Sequence, residues 1–172
     1  IFATKKPGPV NKTFGRLQII SSAWFALTHG ANDGQKTMGI IVLILFSAGL
    51  IPDLEMPLWV IFAAATAMGL GTFFGGYKVI KTLGVKITKL KPYQGFAAET
   101  SGGLMLAVFA VFGIPASTTH AITGTIMGSG AARRKRAVRW KVSRQIVFSW
   151  LITIPGAAGL GIGFTYLINF FV

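Results

Sequence analysis

The stretch from Leu17 to Leu50 is apolar along most of its 34 residues. As one straight helix it would run about 51 Å, against a bilayer hydrocarbon core of roughly 30 Å. In its middle lies His29-Gly30-Ala31-Asn32-Asp33-Gly34-Gln35-Lys36, where two glycines, Asn and Asp favour non-helical backbone. The pattern predicts two half-helices meeting at a polar break. Irregular backbone at membrane depth is tolerated only where it is buried in protein or lines a cavity, so this break is expected to face a site.

Three further runs have spanning length. Leu58 to Tyr77 is 20 uncharged residues with several small side chains and reads as one span. Gln145 to Val172 is a second, with Pro155 expected to kink it. Gly95 to Ala132 is interrupted at Gly113-Ile114-Pro115-Ala116-Ser117-Thr118-Thr119-His120. Its flanks, 78–94 and 133–144, are strongly basic and by the positive-inside rule share the cytoplasmic face. The run must therefore enter and return, as two short spans or as a re-entrant hairpin, and the Gly-Pro-polar tip favours the hairpin. Residues 1–16 are basic and expected inside. The Asp53/Glu55 loop is expected outside.

Composition agrees with a membrane chain. Charged residues make up 12% of the 172, and of the 17 Lys and Arg only Lys36 stands outside 1–16, 78–91 and 133–144. The net charge of +13 thus belongs to loops, and a nucleic-acid surface is not expected. Absence of Cys excludes disulfides, thiolate metal sites and a Cys nucleophile. Crossings number one for 17–50, one for 58–77, none for the hairpin 95–132 and one for 145–172. An odd total would insert a following copy upside down, the arithmetic of inverted-repeat transporters. With Ile1 in place of Met, the chain reads as a fragment, a processed product or one half of something longer. The expected fold class is all-α integral membrane: one repeat unit with a broken helix and a re-entrant hairpin.

Ionisable residues within apolar runs are functional candidates by default. Here they are His29, Asp33, Lys36, Glu99 and His120, beside the neutral Asn32, Gln35, Ser117, Thr118 and Thr119. Asp33 and Lys36 three apart can pair and hold the break together. Alternatively, half-helix N-termini at Gln35-Lys36 and at Pro115-Thr118 would offer N–H groups and a positive dipole end to a tetrahedral oxyanion. Asp33 and Glu99 would then hold Na⁺ or H⁺. His29 and Asp33 would share a face suited to a metal only on an intact helix, and no third ligand follows at the usual spacing, so no metal site is expected beyond Na⁺ at Asp33 or Glu99. Ser117 with His120 is too little for a hydrolase. The Arg133–Arg136 cluster reads as a topology anchor touching anionic lipid.

The segments HGANDGQKTMG (29–39) and GIPASTTHAITGTIMG (113–128) resemble the paired signatures of the inorganic phosphate transporter (PiT) family. With GFAAETSGG (95–103) and VRWKVSRQIVFSWLITIPGA (138–157), the chain is similar to the C-terminal half of bacterial low-affinity members. The resemblance implies a plasma-membrane symporter of inorganic phosphate driven by H⁺ or Na⁺, carrying a metal–phosphate complex in some members. It implies no enzyme activity and no cofactor. It also implies a matching N-terminal half, in the same or an equivalent chain, and leaves a homodimer open. By motif, Asn32, Asp33, Gln35, Lys36, Ser117, Thr118 and Thr119 would form the substrate site, and Asp33, Glu99 and His120 the coupling-ion site. Lys36 replaces a small residue found in many members, and its permanent charge favours proton coupling. The reading from a different class is a non-transporting scaffold or channel-like subunit that keeps the fold.

Overall fold

The computed structural model describes residues 7–171, all helix and connecting turns, and divides into two compact units, one up to Val138 and one from Arg139. In the first unit, α1 (Pro7–Ser47), α2 (Leu58–Lys81), α3 (Pro92–Val111) and α4 (Thr118–Arg133) follow one another, with a π-helical turn Thr82–Ile87 continuing α2. The second unit is α5 (Trp140–Phe171), which runs through Pro155. Among the described residues two segments, Leu58–Ile87 and Trp140–Phe171, are long and apolar enough to cross a bilayer. Of the residues expected inside, Lys5 and Lys6 lie outside the described residues.

The expected break in the first span does not occur: α1 is one helix of 41 residues. Glycine in a helix costs about 1 kcal/mol relative to alanine, so Gly30 and Gly34 together weaken the segment by only about 2 kcal/mol. The polar side chains offset this by bonding along the helix. Asn32 Nδ2 donates to the Thr28 carbonyl, Thr37 Oγ1 donates to the Asp33 carbonyl, and Asp33 pairs with His29 and Lys36 one turn away on either side. These residues bond to helical neighbours instead of competing with helical backbone.

Residues 95–132 turn back on themselves, as both readings of this run require. α3 and α4 pack antiparallel, because Gln94 in the first turn of α3 donates through Nε2 to the Ser129 carbonyl in the last turn of α4 (3.1 Å). The same amide's Oε1 accepts the Lys91 N–H at 3.1 Å, so one side chain both caps α3 and clasps the open end. At the tip, Gly113 has φ +66, a left-handed conformation that disfavours any side chain. α1 lies along α3, its most extensive partner, over a seam of buried Ala98, Gly102, Gly103 and Leu106. Gly71 and Gly75 of α2 have open space beside them within this chain and border a cavity.

Candidate functional site

Asp33 organises one end of the site. Its Oδ2 accepts from the Thr118 hydroxyl at 2.9 Å, joining α1 to the first residue of α4 across 85 positions of sequence. The same oxygen lies 3.0 Å from His29 Nε2, and Oδ1 accepts from Lys36 Nζ at 3.0 Å. Lys36 Nζ also donates to the Ala116 carbonyl at the hairpin tip. Asp33 and Lys36 do pair, as the simpler expectation had it, but the pair is also stitched to the hairpin. A carboxylate bonded by an ammonium, a hydroxyl and an imidazole is well satisfied at partial burial.

Ser117 caps α4: its Oγ accepts the His120 N–H at 3.3 Å. Thr118 is buried and committed to Asp33, whereas Thr119 and Gln35 are exposed. The second helix N-terminus expected near Gln35-Lys36 is absent, because α1 does not break there. The start of α4 is the one such terminus beside Asp33. Asn32 is buried, and its Nδ2 bridges the Thr28 carbonyl and the Leu106 carbonyl of α3 at 3.0 and 3.1 Å, so its amide donors pin α1 to α3.

Glu99 occupies a different place. Its Oε2 accepts from the Ser21 hydroxyl at 2.6 Å, and Oε1 lies 3.4 Å from Gln18 Nε2. Ser21 precedes Asp33 by twelve residues, roughly 18 Å along α1. Glu99 and Asp33 therefore do not converge on one ion. A cavity of about 760 Å³ between α1, α2 and the hairpin links the two: Gln18 and Glu99 line it, as do His29, Thr118 and Thr119. Its far wall is the apolar, glycine-rich face of α2.

Gln18, Ser21 and Gln94 were not anticipated, and the meeting of His29 with Asp33 on one helix face, though His29 was a candidate, was discounted on the expectation of a broken helix. Only the i, i+4 spacing of His29 and Asp33 could have drawn attention to that pair. Among the described residues no group of three His, Cys, Asp or Glu stands ready for a metal.

The phosphate transporter family matches residues 2–161. A probable low-affinity inorganic phosphate transporter of Rhizobium meliloti is 50% identical over 159 residues, covering 92% of this chain and 48% of the relative. One of Bacillus subtilis is 42% identical over 170 residues, covering 98% and 51%. A solved structure titled "The sodium-dependent phosphate transporter" superposes with a TM-score of 0.75 at 34% identity, over 90% of this chain and 40% of that one. The chain thus spans about half the length of the curated relatives it matches. With the family match extending from the start of α1 into α5 and through both motif segments, the chain belongs to the phosphate transporter family, a family of membrane transporters and not of enzymes.

Proposed function

We propose that this chain is one half of a secondary transporter that carries inorganic phosphate across the membrane with Na⁺, together with a second half of matching architecture. The observation that carries the reading is the Thr118–Asp33 bond, which draws both motif segments to the N-terminus of α4. A phosphate there would take hydrogen bonds from the first N–H groups of α4, from the Thr119 hydroxyl, and from the remaining N–H of the Lys36 ammonium, while Thr118 holds Asp33.

Asp33 would repel a phosphate unless a cation stood between them. In the present arrangement Lys36 fills that role at Oδ1. A second cation place is supported by Glu99, whose carboxylate stands beside the Ser21 hydroxyl as oxygens suited to a hard ion, with the Gln18 amide nitrogen donating to the same carboxylate. The solved relative, a sodium-dependent phosphate transporter, favours Na⁺ over the H⁺ that Lys36 alone suggests. In the same reading the hairpin is re-entrant, with both ends cytoplasmic, and α2 and α5 each cross once. A scaffold without transport would use the Asp33 cluster only to tie α1 to the hairpin tip, and has no need of a charged cluster for that.

The test is uptake of radiolabelled phosphate into vesicles holding the chain with the preceding half of a related transporter. Accumulation driven by an imposed Na⁺ gradient is expected. Uptake that follows a proton gradient and ignores Na⁺ would remove the sodium assignment, and none under either gradient would remove the transporter reading.

A further inference from the structure

Three basic segments far apart in sequence meet at one end of the first unit. Lys12 and Arg16 lie in the first turns of α1, which Phe14 fixes against the start of α3 by edge contacts to Tyr93 and Phe96 at 6.4 and 5.5 Å. Lys89 and Lys91 lie just before α3. Arg133 and Arg134 lie at the end of α4, which Gln94 ties to the start of α3. The joint is tight: a Cβ added at Gly130 would come within 3.2 Å of both the Thr88 and Val138 methyls. All six of these cations are exposed.

No carboxylate balances them there. The chain has four acids. Asp33 lies roughly 31 Å along α1 from Lys12, Asp53 and Glu55 lie beyond the opposite end of α1, and Glu99 is bonded to Ser21 inside the unit. Immediately beyond the basic end the surface turns apolar, with Ile19 and Ile20 70% and 68% exposed, and the recess flanked by Lys12 and Arg16 has Leu17 in its wall.

We infer that this end is a binding surface for anionic phospholipid, its three cationic segments gripping the phosphodiester headgroups while acyl chains lie on the apolar side chains beyond. A soluble polyanion would satisfy the cations but has no use for the adjoining apolar band. A lipid has both parts in that order. The recess beside Lys12 and Arg16 is a place where the two chemistries adjoin within one hollow.

The test uses the purified chain in neutral detergent micelles, titrated with phosphatidylglycerol, with phosphatidylcholine or with sodium phosphate while thermal stability is followed. Phosphatidylglycerol should stabilise saturably, and the other two should not. A basic side chain at an anionic leaflet is worth roughly fivefold in affinity, so Lys12→Gln/Arg16→Gln, Lys89→Gln/Lys91→Gln and Arg133→Gln/Arg134→Gln should each weaken the lipid by about 30-fold. Equal stabilisation by phosphatidylcholine or by sodium phosphate would overturn the proposal. So would a pair whose removal leaves the lipid affinity unchanged, because the surface is proposed to need all three segments. The substituted side chains are exposed, so the variants should fold as the parent does.

Discussion

Two adjacent hydroxyls at the start of α4 have different duties. Ser117 receives a backbone N–H and caps the helix, whereas Thr118 reaches across to the Asp33 carboxylate. Ser117→Ala should therefore cost about 1 kcal/mol of stability and leave phosphate affinity near that of the parent. Thr118→Val removes the hydrogen bond to the Asp33 carboxylate, should cost about 1.5–3 kcal/mol of stability, and should also weaken phosphate binding, because that bond holds the two motif segments together. Calorimetry with phosphate and a melting curve on the same two proteins separate these outcomes. Asp33→Asn keeps the side-chain size but removes the charge shared by Lys36, His29 and Thr118. It should insert and fold yet lose gradient-driven uptake, and normal accumulation by this variant would exclude Asp33 from coupling.

At the scale of elements, the turn-back of 95–132 was legible because its signals are local: a Gly-Pro tip, two short apolar arms and basic flanks. The unbroken α1 was not. Its polar segment looks like a break when read alone, since the groups that satisfy it include the Leu106 carbonyl 74 residues away and the Thr118 hydroxyl 85 residues away. The same reason hid Ser21 and Gln18, ordinary polar residues until α3 places Glu99 beside them. It hid Gln94 too, which looks like a loop residue before its two amide bonds are known. Antiparallel arms make a topological forecast. Cysteines at Lys91 and Arg133 should be labelled by an impermeant reagent from the same, cytoplasmic side of an oriented vesicle. Labelling of one from outside would mean that 95–132 crosses an odd number of times.

For the whole molecule, the cavity between α1, α2 and the hairpin is bounded by one half's worth of sequence, and the curated relatives are about twice as long. Expressed alone, the chain should insert without accumulating phosphate, and joined to the preceding half of a relative such as the Bacillus subtilis protein it should gain uptake. Full activity of the chain alone would show that it supplies both walls of the path, for instance by pairing with a second copy.

The continuity of α1 bears on how two distant events could be synchronised. A broken helix would let its halves move separately, so that whatever happened at Asp33 stayed there. An unbroken rod has no such slack: Gln18 and Ser21 near one end and Asp33 and Lys36 further along are fixed to the same beam, roughly 18 Å apart. The hairpin grips that beam at both places, through Glu99 and through Thr118. If the tip of the hairpin slides past Asp33, the strain must be taken up at the Glu99 clasp or the beam must follow. Under the proposed function, loading at one place would be felt at the other as leverage, with no relay of side chains between them.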